Sequence, residues 1–486
     1  MKKSKASSND YKTLRDALSN LPPGAAHQAN APPKLGEIFA PATHANALDP
    51  QRSLVIGNRG VGKSFWSAVL THDETRNKVA IAYPRLPIKQ IRATLGFHEA
   101  AGKDEGPAPS PAALAQLQKQ GYEPETIWRA VLINALRKKI NEALPTSTKD
   151  IIAWMQADVE RTEAALRQAD RSFLEDKKIF LLVFDALDRL GKDWETITPL
   201  TRGILRLALD MRGFRAMKAK VFIRTDQSKD DTLFRFADAS KLRSDAVSLV
   251  WRRGELFGLL YNHLLKESGS RDALARFAGY EAVQDISDEL LNDEGLQEEL
   301  FYRLAGEFMG AGPKRGRTYN WLYDHLADTF GETSPRSFVT ALQRAADYRP
   351  APKDSVIDHN GIRAGVQDAS RVRVTQLKED YDWIDKVMGA LDGLEVPCDP
   401  SIFLRRWTER KTVSDLQAGA KGATSRLPLE LANSTDASEE ALLRALANIG
   451  VIEFRTESRI NMPDIFRVEA GIKRRGGVRP PSARRS

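Results

Sequence analysis

The segment from Gly57 to Ser64 has the residue types and the spacing that bind phosphate groups. It follows the pattern G-x-x-x-x-G-K-[ST], with Gly57, Gly62, Lys63 and Ser64 at the fixed places. Glycines let backbone N–H groups turn toward an anion, a lysine brings a mobile positive charge, and a serine hydroxyl is a hard oxygen ligand for Mg²⁺. The segment predicts a polyphosphate site. The alternative is a glycine-rich turn that matches by chance.

The context of this loop agrees with the prediction. An apolar run from Leu54 to Ile56 indicates a buried strand before the loop, and a helical pattern follows it. We expect Lys63 to contact the terminal phosphates and Ser64 to hold Mg²⁺. The residues expected to bind the nucleotide are Gly57, Asn58, Arg59, Gly60, Val61, Gly62, Lys63, Ser64 and Phe65.

Two carboxylates follow a second apolar run. Residues 179–184 are all apolar, without alternation, which is typical of a strand buried on both faces of a parallel sheet. Ligands bind at the carboxyl ends of such strands, so we expect Asp185 beside the phosphate loop, holding Mg²⁺ directly or through water. Asp188 is a candidate for polarising the attacking water. The alternative for Asp185 is a cap of the next helix.

A further buried strand is predicted over Lys220 to Asp226. Its last residues, Thr225 and Asp226, are candidates for sensing the terminal phosphate or orienting water, although the turn after a strand selects the same residue types. Catalysis of phosphoryl transfer also needs a cation for the leaving phosphate, often from a neighbouring subunit. Five arginines are candidates for it: Arg189, Arg224, Arg243, Arg252 and Arg253. The alternative is that they pair with nearby acids such as Asp230, Asp231 and Asp245.

The order of the predicted elements is that of an open parallel sheet flanked by helices. A second strand is expected over Lys78 to Tyr83, and residues 96–124 have a loop-like composition. Helices are expected over Thr126 to Leu136, over Ile151 to about Asp176 and from about Thr196 to Met211. The sequence thus predicts an α/β phosphate-loop core.

Composition and turn residues predict the division of the chain. The predicted segments are a flexible leader over 1–34 with at most one short helix, the α/β core over 35–252, a helical lid over 253–349, a linker over 350–369, a small α+β winged-helix-like domain over 370–472 and a basic tail over 473–486. In the winged-helix-like part, two β-like runs, Val451 to Thr456 and Asp464 to Val468, follow a helix that stops at Gly450. Such a domain either reads DNA or packs against a partner.

The overall composition is that of a water-soluble globular chain. The 486 residues are 42% hydrophobic and 28% charged, and no apolar run approaches the roughly 20 residues that span a membrane. The polar start predicts a cytoplasmic protein without a signal peptide. Cys398, the only cysteine, is expected to be buried, and His263 and His325 are expected to have no ligand role.

The charge is uneven along the chain. The net charge is +8, and residues 473–486 hold six cations and no acid. Such a tail can bind nucleic-acid phosphates by releasing counterions, so DNA is a possible partner; a solvated chain end has the same composition.

Three features together resemble one group of ATPases. They are the loop from Gly57 to Ser64, the D-x-x-D-R form of Asp185 to Arg189, and the strand Val221 to Asp226 followed by Leu249-Val250-Trp251. They resemble the Walker A, Walker B and sensor segments of the STAND and KAP branch of the additional-strand P-loop ATPases, near AAA+ proteins, over roughly residues 35–350. The resemblance implies ATP rather than GTP, and no N-K-x-D-type guanine-reading segment contradicts it. Ala186 departs from the common AAA+ form, which has a glutamate there, so water activation falls to Asp188 or is absent.

The resemblance also implies a function and a role for the lid. Ser334 and Pro335 predict a helix start that places Arg336 where similar lids have a phosphate-sensing arginine; the alternative is a surface arginine. The expected function is an ATP-hydrolysing conformational switch that uses ATP and Mg²⁺, with Lys63, Asp185 and Asp188 as catalytic residues. Homo-oligomers or a partner protein, and a place in bacterial conflict or phage defence, are implied. The alternative function is a slow or non-hydrolysing module that binds DNA or protein in response to nucleotide.

Overall fold

The computed structural model describes residues 7–22, 30–103, 106–279, 287–421, 427–432, 438–455 and 458–474. They form two compact units: the described residues of 26–250 make one, and those of 1–25 and 251–486 make the other. None of the helices within these ranges is long and apolar enough to cross a membrane.

The first helix, α1 (Ser8–Ser19), belongs to the second unit. Its Leu14 and Leu18 are buried, and Ser7 and Asp10 form a reciprocal cap at its start. Arg15 donates from Nε to the carbonyl of Val356 at 2.8 Å. The predicted leader over 1–34 therefore contains a packed helix, in the place where one short helix was expected.

The unit of residues 26–250 alternates helices and strands. Its elements are α2 (Ala45–Leu48), β1 (Leu54–Ile56), α3 (Lys63–Thr71), α4 (Asp73–Ala82), β2 (Ile91–Phe97), α5 (Pro111–Lys119), α6 (Pro124–Ala135), α7 (Thr148–Ala157), α8 (Val159–Glu175), β3 (Ile179–Phe184), α9 (Trp194–Asp210), β4 (Met217–Ile223), α10 (Thr225–Lys229), α11 (Ala239–Ser244) and β5 (Val247–Ser248).

The five strands of this unit form one parallel sheet in the order β2, β3, β4, β1, β5. The strand β4 lies between β1 and β3, so one strand separates the end of the phosphate-loop strand from the end of the strand that precedes Asp185. Because all strands are parallel, their carboxyl ends meet at one edge of the sheet. The predicted α/β core with flanking helices is confirmed.

The apolar pattern of β3 explains its position. Phe180 to Phe184 are all at most 2% exposed, because helices cover both faces of the sheet. On one side α6 packs against α9, and the indole N–H of Trp128 donates to the carbonyl of Leu200 at 2.8 Å. Burial of each large apolar side chain contributes about 1.5–3 kcal/mol to folding.

The strand predicted over Lys78 to Tyr83 is wrong. Residues 78–82 lie in α4, and Tyr83 is its C-cap. Thr75, Arg76, Val79 and Ala80 are buried and Ile81 is 71% exposed, which is a helical period. Asp73 and Glu74 in the first turn favour the helix through its dipole. The second strand is β2, partly within a segment whose composition indicated a loop.

Two further boundaries differ from the predictions. The single helix expected from Ile151 to Asp176 is two, α7 and α8, because the Asp158 backbone is extended and its side chain accepts from the N–H of Arg161, which starts a new helix. The loop-like segment 96–124 contains α5, with Ser110 as its N-cap and Pro111 at its first position.

The second unit is mainly helical. After α1 its elements are α12 (Arg253–Leu264), α13 (Ser268–Ala278), α14 (Ser287–Asn292), α15 (Glu294–Ala305), α16 (Thr318–Leu326), α17 (Pro335–Asp347), α18 (His359–Asp380), α19 (Ile384–Gly389), β6 (Glu395–Val396), α20 (Pro400–Glu409), α21 (Thr412–Lys421), α22 (Leu429–Ala432), α23 (Glu439–Asn448), β7 (Glu453–Phe454), β8 (Ile460–Asn461), α24 (Asp464–Arg467) and β9 (Lys473–Arg474).

The segment 350–369 is not simply a linker, because α18 begins within it. Pro350-Ala351-Pro352 and the polar stretch after it suggested a linker. Gly361 and Gly365, however, face α17 at close range: a Cβ on Gly365 would lie 2.2 Å from the carbonyl oxygen of Ala341. The two glycines stand four residues apart, on one face of the helix, and let the two backbones approach. Small residues thus serve helix packing here.

The C-terminal part contains a short hairpin. Strands β7 and β8 are antiparallel, and Cys398 forms an isolated antiparallel bridge with Ile460; Cys398 is buried, as predicted. The second β-like run, Asp464 to Val468, is wrong, since α24 begins there after Pro463. The winged-helix-like assignment stays a prediction, and residues 475–486 of the predicted tail lie outside the described ranges.

Candidate nucleotide site

The loop between β1 and α3 is held in a conformation that needs glycine. Gly60 and Gly62 have φ angles of +83° and +103°, in the left-handed region that side chains disfavour. The N–H of Gly57 donates to the carbonyl of Ile223 at 3.1 Å, and a Cβ on Gly57 would lie 2.8 Å from Cγ2 of Val61. The loop is therefore anchored to the end of β4 and closely folded on itself.

Lys63 closes the loop from the first turn of α3. Its Nζ donates to the carbonyls of Gly57 at 2.8 Å and Asn58 at 3.0 Å. Burial lowers the pKa of Lys63 to about 8, with Asp185 opposing the decrease and Arg224 adding to it. The ammonium is still mostly protonated at pH 7, and the negative charge of a bound polyphosphate would raise the pKa back toward its ordinary value.

The Asp185 carboxylate and the Ser64 hydroxyl are hydrogen-bonded to each other. The Asp185 side chain is buried and accepts hydrogen bonds from the Ser64 hydroxyl and from the N–H of Ala186. Burial raises the pKa of Asp185, and the Ser64 hydroxyl and the charge of Lys63 oppose that increase. A hydroxyl and a carboxylate so placed, beside a phosphate loop, fit the oxygen ligands that Mg²⁺ takes.

The chain turns sharply after Asp185. Ala186 has φ +55° and ψ +43°, a left-handed conformation that costs a residue with a Cβ roughly 1–2 kcal/mol. The turn directs the N–H of Ala186 to the Asp185 carboxylate and leads into a short 3₁₀ helix, Leu187–Arg189. Local strain of this kind often accompanies functional sites.

Arg224 lies at the end of β4, between two carboxylates. Its Nε and Nη2 donate to the two carboxylate oxygens of Asp226 at 3.0 and 2.8 Å, and its Nη1 lies 3.9 Å from Oδ2 of Asp188. Burial opposes the charge, but Asp226 and Asp188 raise the pKa of Arg224 above its ordinary value. Since the charge of Arg224 also lowers the pKa of Lys63, the guanidinium is part of the site of its own chain.

The structure thus brings most of the predicted site residues together in the unit of 26–250. Asn58, Arg59 and Val61 are in the loop itself, and Phe65 contacts Trp66 edge to face. Thr225 is half-buried at the start of α10, and Asp226 is engaged by Arg224. Their sensing roles stay predictions.

The predicted lid arginine, Arg336, is in the other unit. Ser334 caps α17 as expected, because its hydroxyl accepts from the N–H of Ser337 at 3.2 Å. Arg336 is half-buried in the first turn of α17. Its role as a phosphate sensor stays a prediction.

The other four candidate arginines differ in their ion pairs with nearby carboxylates. Arg243 lies 3.0 Å from Asp231, and Arg253 lies 3.2 Å from Glu294, so local ion pairs occupy both. Arg189 is 56% exposed, with one contact at 3.6 Å to Glu99. The exposed side chain of Arg252 forms no ion pair within the described ranges.

Sequence reasoning missed His44, which forms a hydrogen bond with Trp66 of α3. The indole N–H of Trp66 donates to Nδ1 of His44 at 3.2 Å, so the proton of the neutral ring is on Nε2, which lies 2.9 Å from the carbonyl of Val250. His44 therefore connects α3 to the segment after β5. No periodic pattern surrounds His44 in the sequence, so nothing in it indicated this contact.

A Gly62→Ala substitution should separate loop conformation from packing. A Cβ at Gly62 would contact nothing closer than 3.9 Å, so the expected cost is the left-handed backbone alone, about 1–2 kcal/mol. We expect nucleotide affinity to fall about tenfold or more, measured by calorimetry. Gly213→Ala is the matched control, because Gly213 has open space and no positive φ; equal binding by both variants would contradict the phosphate-loop role.

The chain is weakly similar to known structures. No protein-family description matches the sequence, and no curated protein matches it. Among solved structures, a Walker-type ATPase of Pyrococcus abyssi is similar with a TM-score of 0.38 and 11% identity, covering 92% of this chain and 97% of that one. The ORC2 protein of Aeropyrum pernix, solved in ADPNP and ADP complexes, has a TM-score of 0.30 and 10% identity, with 88% and 93% covered. Likenesses this weak carry no functional weight.

Proposed function

We propose that this chain binds ATP together with Mg²⁺ and hydrolyses it. One observation carries the proposal. The Lys63 ammonium, the Ser64 hydroxyl and the Asp185 carboxylate lie together at one edge of the parallel sheet. Lys63 and Ser64 begin α3 after the loop that follows β1, and Asp185 directly follows β3. Ligands of such sheets bind at these carboxyl ends of the strands.

The side chains divide the work of phosphoryl transfer. Mg²⁺, when bound by Ser64 and Asp185, supplies positive charge to the phosphate oxygens. Lys63 and the loop N–H groups neutralise the phosphates, and Asp188 holds the water or accepts its proton. Arg224, 3.9 Å from Asp188, fixes that carboxylate and brings a second cation to the site.

A turnover assay tests the proposal. Phosphate release from ATP should require Mg²⁺ and should exceed release from GTP, since the sequence has no N-K-x-D-type segment for guanine. Phosphate release by Lys63→Ala protein, purified in the same way, measures the contribution of contaminating ATPases. Wild-type release no faster than that of Lys63→Ala, with or without DNA, would exclude hydrolysis.

A second candidate function has its own observation. Ala186 stands where a glutamate is common in AAA+ proteins, and the Asp188 carboxylate lies beside the Arg224 guanidinium. Both features favour weak activation of water. The chain would then be a module that binds nucleotide and holds DNA or a partner protein. Tight ATP binding without turnover supports this function, and turnover stimulated several-fold by a partner supports the enzyme.

The finer parts of the proposal come from the resemblance in sequence. They are a STAND-like conformational switch, self-assembly or coupling to a partner protein, and a place in bacterial conflict or phage defence. DNA would be bound by the winged-helix-like part and the basic tail. Sedimentation with ATP, ADP and no nucleotide tests the switch: equal assembly states in all three would contradict it.

Self-assembly predicts different behaviour for two arginines. Arg189 is exposed and loosely held, so we expect it to serve a neighbouring subunit, whereas the side chain of Arg224 is 12% exposed and serves its own site. Alanine at either position should slow turnover, by up to about 10³-fold, and spare ATP binding. Mixing Arg189→Ala with Asp188→Asn protein should restore activity, because a shared site then has both intact groups.

The same mixing with Arg224→Ala is the control, and it should restore nothing. Recovery with Arg224→Ala would place that arginine in trans. Failure of Arg189→Ala to recover, with turnover per chain independent of protein concentration, would contradict the shared site.

A further inference from the structure

The carboxylates that follow β3 do not provide a strong proton acceptor. Ala186 stands where AAA+ proteins commonly have a glutamate, and the chain turns there with φ +55°. Asp188 lies 3.9 Å from the guanidinium of Arg224, whose side chain is only 12% exposed. A buried cation stabilises the charged form of a neighbouring carboxylate, and this makes the carboxylate less ready to take up a proton.

The strand beside β3 leads into a glutamate. Strands β2 and β3 are parallel, with Phe97 paired to Phe184, and the N–H of Asp185 donates to the carbonyl of Phe97 at 3.0 Å. Glu99 follows Phe97 by two residues, as Ala186 follows Phe184. Both strands end at the same edge of the sheet. Glu99 therefore stands on the neighbouring strand end, level with the place where the common glutamate is missing.

A bulge in β2 sets this level. The register with β3 shifts by one residue and skips Gly96. A Cβ on Gly96 would lie 2.7 Å from Cε1 of Phe184, so this close approach requires glycine. Without the shift, Glu99 would stand one position beyond Ala186. Bulges often redirect a side chain next to an active site.

The turn after β2 fixes the backbone of Glu99. The N–H of Ala101 donates to the carbonyl of His98 at 3.1 Å, and the N–H of Ala100 donates to Nδ1 of the same histidine at 3.3 Å. His98 is 1% exposed. Glu99 is the first central residue of this turn, so its backbone is held between the sheet and a buried ring.

The Glu99 carboxylate is shielded from water and weakly engaged. Its side chain is 19% exposed, compared with 30% for Asp188. Its one polar contact within the described ranges is with Arg189, whose Nη1 lies 3.6 Å from Oε2, too far for a hydrogen bond. Arg189 is 56% exposed, so solvent screens its charge far more than that of a buried guanidinium. Glu99 thus keeps its oxygens available to accept a proton.

We propose that Glu99 accepts the proton of the water that attacks ATP, an inference that rests on the hydrolysis proposed above. The water oxygen bonds to the γ-phosphorus while the bond from this phosphorus to the oxygen that bridges to the β-phosphate breaks. ADP leaves with the electron pair of that bond. The proton passes from the water to the Glu99 carboxylate and then to solvent, and Asp188 holds the water in place.

Turnover of Glu99→Gln tests this proposal. Glutamine has nearly the size of glutamate and keeps an oxygen acceptor toward Arg189, but its amide does not take up a proton. We expect kcat for ATP to fall about 10²- to 10⁴-fold, while the dissociation constant of ATP with Mg²⁺, measured by calorimetry, is unchanged. Glu175→Gln is the matched control, because Glu175 is exposed at the end of α8 and should alter neither quantity.

A chemical rescue separates proton transfer from a structural role. Glu99→Ala leaves space where the carboxylate was, so added formate should raise its kcat at least about tenfold; formate should not change kcat of Glu175→Ala. A loss that formate does not restore, or an equal loss of ATP affinity in Glu99→Gln, would show a structural role and overturn the proposal.

The rate of the wild-type protein distinguishes this proposal from the proposed function. Wild-type phosphate release above that of Lys63→Ala, together with Glu99→Gln turnover within about twofold of wild type, would overturn the role of Glu99 alone. Wild-type release no faster than that of Lys63→Ala would overturn hydrolysis itself, and the role of Glu99 with it.

Discussion

Lys63→Ala is expected to lower ATP affinity at least about a hundredfold. The ammonium gives charge-assisted bonds to phosphate, each worth about 1.5–3 kcal/mol, and a tenfold change in affinity is about 1.4 kcal/mol. The substitution also removes the bonds from Nζ to the carbonyls of Gly57 and Asn58, so the loop loses its internal anchor. Calorimetric titration with ATP and Mg²⁺ measures the effect.

The matched control for this prediction is Lys78→Ala. Lys78 is an exposed lysine in α4, so its removal changes the net charge equally without touching the loop. Thermal unfolding of both variants shows whether the fold is preserved. Wild-type ATP affinity in a folded Lys63→Ala protein would contradict the phosphate-loop assignment.

Asp185→Asn is expected to abolish Mg²⁺-dependent binding while the fold is retained or becomes more stable. An asparagine can still accept from the Ser64 hydroxyl and the N–H of Ala186, but it is a poor Mg²⁺ ligand. Burial raises the pKa of Asp185, which means that the folded protein carries the cost of a buried charge, and the neutral amide removes that cost. Loss of binding with an equal or higher unfolding temperature is the expected pair of results.

Asp188→Asn is expected to act differently at the same site. The Asp188 side chain is 30% exposed and lies beside Arg224, so its loss should leave ATP binding and slow turnover by about 10²- to 10⁴-fold. Asp210→Asn, an exposed aspartate in α9, controls for charge and should change neither property. Turnover of Asp188→Asn at the wild-type rate would exclude its role with water.

The sequence alone determined the parts of the site that depend on short-range patterns. The glycines of the phosphate loop indicated its conformation. A positive φ angle, which Gly60 and Gly62 both have, is a local property that favours glycine. The run 179–184 indicated a central strand because a strand covered on both faces is apolar throughout. Asp185 followed from the rule that parallel strands present their carboxyl ends at one edge.

Tertiary structure decided what depends on residues far apart in the chain. The parallel pairing of β4 with β1 and with β3 brings Arg224 beside Asp188. We therefore assign Arg224 to the site of its own chain, whereas the sequence made it one of five equal candidates for the site of a neighbouring subunit. His44 contacts Trp66 and Val250, which no periodicity could indicate. Gly365 lies in α18, where it packs closely against the backbone of α17. In each case long-range packing, which local propensity does not record, selects the structure.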